Sequence, residues 1–413
     1  MIHPDFLNMI AAMPGVDAEA FEASMHEAPA VSIKLNRRKC TDPDMIGYGA
    51  LESVRWCRSG YYLSERPKFT LNPLLHAGLF YVQDASSMIY ETIVAGMAGK
   101  ISPRNAPLVL DMCAAPGGKT TSMINALPDG STVIANEVMP QRARILKENL
   151  LKWGYPDIMV TNSRSSAFAA MGEIFDIVAV DAPCSGEGMM RKDEDAVNQW
   201  SPRLVEQCAG LQREILADAV EALKPGGILI YSTCTFNRHE DEENVAWLVE
   251  NKDLEPIETD FPEEWGIGRA SGSPYPALRF MPHLTRGEGL FAAVLRKPGE
   301  LRVIDHGKIL PAIRRKAKLL ADGIPTVNMK GKIEIPASEW ALSTSFPAER
   351  YPSVELDTES ALRYLRHESL ILDNNTPKGF VVVKYKGHPL GFVKNIGNRA
   401  NNLYPAEWRI RNL

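Results

Sequence analysis

Leu110-Asp111-Met112-Cys113-Ala114-Ala115-Pro116-Gly117-Gly118-Lys119-Thr120 decides the fold. It reads as the end of a strand, a loop of small residues, and the start of a helix. Small residues let a backbone approach a ligand closely, and a helix start offers free N–H groups and a positive dipole end. Two nucleotide-binding readings fail at once. A P-loop needs Gly five residues before Gly118, where this chain has Cys113, and no G-x-G-x-x-G is present. Glu137 follows the next strand, at the position where doubly wound folds hold a ribose hydroxyl pair. The alternative is a generic Gly turn with a surface Glu.

Working outward, the chain alternates strand and helix from Pro107 to Lys297. Strands are expected at Leu108–Met112, Thr132–Asn136, Asp157–Thr161, Asp176–Val180, Ile228–Tyr231 and Leu290–Leu295. Helices are expected at Gly117–Leu127, Pro140–Trp153, from Ser201-Pro202 to Leu223, and His239–Asn251, the last with acids in its first turn. Lys224-Pro225-Gly226-Gly227 reads as a helix stop. This alternation predicts an α/β fold with a mostly parallel, doubly wound sheet.

The rest of the chain divides around that unit. Residues 1–76 form an N-terminal α+β region, with short strands at Ala30–Asn36, Val54–Cys57 and Tyr61–Leu63 and a basic Lys34-Leu35-Asn36-Arg37-Arg38-Lys39 segment. Residues 77–297 hold the α/β unit, 298–352 a basic intermediate domain or linker, and 353–413 a final β-rich unit. In the last, a helix at Ser360–Arg366 precedes strands at Gly379–Lys386 and Pro389–Lys394. The 413 residues are 45% hydrophobic and 23% charged, the balance of an ordinary globular protein. No apolar run nears the roughly 20 residues of a membrane span, and no signal peptide is visible. Net charge is −5, but residues 298–413 carry 18 basic and 12 acidic side chains, leaving 28 and 39 before them. A basic end on an acidic body points to an anionic partner, against the plain reading of two differently solvated surfaces. The six cysteines form no CxxC pair and no Cys/His cluster, so no metal site is expected, and a reducing cytoplasm is the expected compartment.

A nucleoside-bearing cofactor without pyrophosphate fits the loop. S-adenosylmethionine meets that description, with its ribose on Glu137 and its amino-acid end on the loop N–H groups and Lys119. Cys184 and Cys234, fifty residues apart, each end an apolar strand on the side where this loop opens. Cys40, Cys57 and Cys208 read as small core hydrophobes. C5 of a pyrimidine is not nucleophilic until a thiolate adds at C6; a base must then take the C5 proton and the thiol must leave. One thiol therefore serves the attack, and a second polar group beside it serves the later steps. Asp181 is a candidate for the N3 edge of the base, or a strand-end cap. Asp181-Ala182-Pro183-Cys184 has a thiol where enzymes that methylate exocyclic nitrogens stack an aromatic.

Together these segments resemble the Nol/Nop/Sun family of RNA 5-methylcytosine methyltransferases. The resemblance rests on residues 111–120, on Asp181-Ala182-Pro183-Cys184-Ser185-Gly186-Glu187-Gly188, and on Tyr231-Ser232-Thr233-Cys234-Thr235. It extends to residues 78–88, Trp200-Ser201-Pro202, Arg213, and a C-terminus (390–394, 399–405) similar to the PUA-like end of bacterial rRNA methyltransferases. It implies a Rossmann-like methyltransferase sheet between a small N-terminal RNA-binding domain and a PUA-like domain. It implies Cys234 as nucleophile and Cys184 as the residue aiding release, with Asp181 near methyl donor and base. It implies cofactor contacts from Cys113, Ala114, Ala115, Pro116, Gly117, Gly118, Lys119, Glu137, Asp181 and Arg142. Where the family often has an acid near the adenine, this chain has Asn162; Lys34 replaces an upstream Arg. Arg191 and Lys192 are candidates for flanking phosphates. The expected substrate is bacterial small-subunit rRNA, acted on by a monomer without membrane attachment. The alternatives are a tRNA cytosine-C5 methyltransferase and a non-catalytic RNA-binding assembly factor.

Overall fold

The computed structural model describes all residues except 1, 50, 102–105, 271, 304 and 412–413, and omits the side chains of 98–100 and 330. Three strands, β1 (Val31–Leu35), β2 (Gly60–Leu63) and β3 (Phe80–Val82), form an antiparallel N-terminal sheet in the order β2-β1-β3, with Glu52–Ser53 on its edge. Before them, α1 (Pro4–Ala11) and α2 (Ala18–Met25) pack on the next unit: Phe6 and Phe21 join Met190, Trp200 and Phe236 in one buried cluster.

The central sheet is built from β4 (Leu108–Asp111), β5 (Thr132–Asn136), β6 (Ile158–Thr161), β7 (Phe175–Asp181) and β8 (Leu223–Thr233), all parallel. Two further strands, β9 (Leu278–Phe280) and β10 (Leu290–Arg296), extend one side antiparallel, giving the order β9-β10-β8-β7-β4-β5-β6. Every strand residue from 108 to 111 is buried, and neighbours alternate between two cores. Val109, Val133 and Ile177 face one side, with Met123 and Leu146. Leu108, Ile134 and Val178 face the other, with Leu216 and Leu248. A sheet covered on both faces needs such continuous apolar runs. The covering helices are α3 (Ile89–Ile101), α4 (Gly118–Ala126) and α5 (Pro140–Trp153), then α6 (Pro202–Ala222) and α7 (Glu242–Lys252). Ser201 caps α6 by accepting from Leu204 N at 3.2 Å.

Three expectations are corrected here. The helix stops at Ala222, just before Lys224-Pro225-Gly226-Gly227, but the strand expected from Ile228 already begins at Leu223. β8 runs through that segment, because Leu223 pairs with Phe175 across a register shift and Lys224 ion-pairs with buried Asp176 at 2.5 Å. Val54–Cys57 is a turn beside Glu52–Ser53, not a strand. Within 298–352, α8 (His306–Lys316) leads to β11 (Leu319–Asp322), which pairs with β6 and closes the far edge of the central sheet. The C-terminal unit follows: α9 (Thr358–Leu365), and a sheet of β12 (Ser353–Glu355), β13 (Gly379–Tyr385), β14 (His388–Asn395) and β15 (Ala400–Asn402). Among the described residues no helix is long and apolar enough to cross a membrane.

Candidate active site

Asp111 ends β4, and the chain turns at Gly117, whose φ of +115° an L side chain rarely adopts. Above that turn α4 begins with unpaired N–H groups, as every helix start must. A Cβ on Gly118 would sit 3.2 Å from the Gln83 side chain, so the loop is packed as well as bent. It is fastened on several sides. Ala114 N donates to Asn136 O at 2.8 Å, Arg142 donates to Ala115 O at 2.8 Å, and Asn149 and Tyr81 donate to Pro116 O at 2.8 and 3.1 Å. Thr120 donates to Asp111 at 2.6 Å; burial pushes the Asp111 carboxyl up to about 7.

Glu137 lies buried just beyond β5. One oxygen accepts from Met139 N at 2.8 Å and the other lies 3.4 Å from Arg142. Each oxygen keeps a lone pair, which is what a ribose diol requires. Asn162 stands just past the end of β6, with its side chain already engaged. Its amide donates to the carbonyls of Glu137 and Val138 at 2.8 and 2.9 Å, and its oxygen accepts from Lys318 at 3.0 Å. Its side chain therefore holds the loop after β5 rather than offering a free edge to an adenine. The surroundings suit S-adenosylmethionine by charge. The carboxylates of Glu137 and Asp181 flank the loop, while its own cation, Lys119, is paired with Asp181 at 2.7 Å. A sulfonium and an ammonium fit such a lining; a triphosphate does not.

The two thiols meet. Parallel pairing of β7 and β8 sets Asp181 against Ser232, and just beyond these partners the sulfurs of Cys184 and Cys234 lie 3.3 Å apart. The hydrogen-bond contact with Cys234, then burial, hold the Cys184 thiol well above its usual pKa. Asp181 takes a second bond, from Ser232 at 2.7 Å, and Ser232 meets buried Tyr90 at 2.8 Å. Burial pulls the Lys119 amine down, but Asp181 and the nearby thiols outweigh it and the net shift is upward. Cys113 differs: burial pushes its thiol far up. Cys40 and Cys57 are buried as expected, and Cys208 is half-buried with its thiol pushed up to about 11 by burial.

Several groups that build this site were given no role by the sequence reading. Glu187, wholly buried, accepts from Trp200 Nε1, Asn237 Nδ2, Phe236 N and Asn237 N at 2.9, 2.9, 2.6 and 3.0 Å. Glu240 accepts from Ser185 N at 3.0 Å and Gln212 at 2.6 Å. Gly188 N donates to Cys234 O at 2.8 Å. These bonds tie the Cys184 loop to the Cys234 loop. The acids 240–242, expected in the first turn of a helix, are buried. Asn136 joins three strand ends, bonding Met112 O, Ser163 and Thr161.

The basic candidates are also reassigned. Arg191 is buried in a two-point ion pair with Glu288 at 2.8 Å and donates to Ser24 and Gly287 carbonyls, so it has no free face for phosphate. Lys192 stays partly exposed, 3.3 Å from Glu288. Lys34 is buried and donates to Gln83, Gly118 O, Thr121 and Ser122 at 2.6–2.9 Å, joining β1 to the start of α4. Lys39 donates to Ala77 O and Lys152 O, both at 2.8 Å. Both amines are brought down to about 7 by burial. Among the described residues no group of three or more His, Cys, Asp or Glu is placed to hold a metal.

Comparison with known proteins finds the same relatives over nearly the whole chain. Residues 98–296 match the family described as 16S rRNA methyltransferase RsmB/F, 2–85 the N-terminal domain of 16S rRNA methyltransferase RsmF, and 351–410 the methyltransferase RsmF PUA domain. The ribosomal RNA small subunit methyltransferase F of Erwinia tasmaniensis is 30% identical over 91% of this chain and 90% of its own. That of Aeromonas salmonicida is 30% identical over 98% and 96%. Among solved structures, a methyltransferase homolog protein from Pyrococcus horikoshii is 26% identical, with a TM-score of 0.57 over 72% of this chain and all (100%) of the other. NSun6 from the same organism, solved with SFG, shares the fold at a TM-score of 0.61 and 19% identity, over 72% of this chain and 99% of its own.

Proposed function

This chain belongs to the 16S rRNA methyltransferase RsmB/F family and is an S-adenosylmethionine-dependent rRNA methyltransferase, and we propose that it methylates cytosine C5 through a covalent Cys234 adduct. The observation that carries the proposal is the pair of sulfurs 3.3 Å apart, just beyond the paired ends of β7 and β8. Cys234 adds to C6, forming a C–S bond as the C5–C6 π electrons move into the ring. S-adenosylmethionine supplies the electrophilic methyl group to C5. A base then takes the C5 proton, its C–H electrons restore the C5–C6 double bond, and the sulfur leaves C6 with the C–S pair. Cys184 supplies a proton to the departing Cys234 thiolate, which favours release. Asp181, fixed between Lys119 and Ser232, takes the polar edge of the base, and the charged Lys119 offsets the electron density the adduct pushes into the ring.

The methyl donor sits on residues 113–119, with Cys113, Ala114, Ala115, Pro116, Gly117, Gly118 and Lys119 giving backbone and charge, Glu137 the ribose diol, and Arg142 the loop's support. In an RNA helix C5 and C6 are shielded by stacking, so the cytosine comes from a loop or is flipped out. The PUA unit and the basic residues of 298–413 supply a salt-sensitive grip on RNA. We place the protein in the cytoplasm, acting as a monomer. Purified protein incubated with small-subunit rRNA, with tRNA and with the assembled subunit, followed by bisulfite sequencing, tests the substrate. Conversion-resistant cytosines in rRNA support the reading; methylation of tRNA alone overturns it.

A further inference from the structure

Thr233 and Thr235 flank Cys234, and both hydroxyls donate to one oxygen of Asp241, at 2.6 and 3.0 Å. The hydroxyls also meet each other at 2.8 Å, and Thr235 N donates to Thr233 Oγ1 at 3.3 Å. Asp241 is itself fixed by Arg279, whose Nη1 lies 3.1 Å from its second oxygen and donates to Phe236 O at 2.7 Å, while Nη2 bonds Glu242. Asp241, Thr233 and Thr235 are wholly buried, and Arg279 nearly so.

The strand ends at Thr233 and the chain bends at Cys234. Two hydroxyls drawn onto one buried carboxylate anchor both sides of that bend and leave the thiol 3.3 Å from Cys184. We propose that Asp241 is the positioning residue for the nucleophile, acting through Thr233 and Thr235 and held in place by Arg279. This rests on Cys234 being the attacking thiol. A buried carboxylate suits the task. It accepts from several donors at once, and Arg279, on β9 at the antiparallel side of the sheet, keeps it from rotating away. Without the two hydroxyl bonds Cys234 is held only through its carbonyl, by Gly188 N, and displacement of a reacting atom by about 1 Å costs on the order of a hundredfold in rate.

The test compares Thr233→Val and Thr235→Val, which remove a hydroxyl at similar volume, with Thr233→Ser and Thr235→Ser, which keep it. Full-length variants are assayed for kcat, and for KM of RNA and of S-adenosylmethionine, beside a melting curve. The expected result is a kcat about tenfold or more lower in each Val variant with both KM values within about twofold, and Ser variants within about threefold of the parent. If one Val variant fails to fold, the other decides. Unchanged kcat in a folded Val variant, or Ser variants falling as far as the Val ones, overturns the proposal. In a Cys184→Ala background, peptide mapping of the RNA-linked residue separates the two ideas. An adduct on Cys234 that forms at the parental rate despite Thr235→Val refutes the positioning role. An adduct on another residue refutes Cys234 as nucleophile.

Discussion

Glu187→Gln examines the joint that holds both catalytic loops. The carboxylate takes four donors: Trp200 and Asn237 side chains on one oxygen, Phe236 and Asn237 amides on the other. Burial pushes its pKa up, while those donors pull against the rise. A glutamine has one carbonyl oxygen and one NH2. Whichever way it is set, two N–H donors face an NH2 and lose their acceptor. Each buried unsatisfied donor costs about 1–3 kcal/mol, so the variant loses about 2–6 kcal/mol. For a unit of this size each kcal/mol shifts the midpoint by roughly 2–4 °C, so the methyltransferase unit should melt about 4–24 °C lower. Differential scanning calorimetry measures this, with exposed Glu194→Gln as a control expected to change stability by less than about 0.5 kcal/mol. Hydrogen exchange should show the amides of Phe236 and Asn237 losing protection. A Glu187→Gln midpoint within about 2 °C of the parent, with both amides still protected, would refute this account of the joint.

Glu137→Ala should weaken S-adenosylmethionine binding by about tenfold to a hundredfold in titration calorimetry, the cost of removing a charged acceptor; an unchanged Kd removes Glu137 from the site. Lys34 has a folded pKa of about 7 against an ordinary 10.5, brought down by burial. Between those values the unfolded chain holds a proton that the native protein has shed. Stability therefore rises with pH across that window and is lost as pH falls toward about 7. Lys34→Met should flatten the rise in melting midpoint between about pH 7 and 9, and an unaltered slope contradicts it. Diamide should link Cys184 to Cys234, 3.3 Å away, and stop methyl transfer until dithiothreitol restores it. Peptide mapping that finds both thiols free after loss of activity sinks that expectation.

The fold was legible because its signals are local. Continuous apolar runs marked β4 to β8, Pro140 and Ser201-Pro202 marked helix starts, and the small-residue loop marked the cofactor end of the sheet. The two thiols were legible for the same reason: each ends a strand of a parallel sheet, so topology alone brings them together. Long-range polar pairing was not legible. Glu187 reaches residues 236 and 237, Asp241 reaches Arg279, and Lys34 reaches residues 118–122. A charged residue in one sequence looks solvated until its distant partner is known. Arg191 misled in that way, because nothing near it in sequence announces Glu288. Asn162 was placed correctly at a strand end, but its amide is held by the neighbouring loop. β11 was missed because three half-buried residues and an exposed one beyond a basic helix carry little pattern.

The central claim is that Cys234 attacks and Cys184 frees the product. The most direct measurement incubates Cys184→Ala, Cys234→Ala and the parent with rRNA and S-adenosylmethionine, then resolves protein–RNA complexes under denaturing conditions. Cys184→Ala should accumulate a covalent complex mapped to Cys234, the parent should show little, and Cys234→Ala should form none and transfer no methyl groups. A Cys234→Ala protein that still methylates rRNA at the parental rate, or a complex mapped to Cys184, would contradict the mechanism.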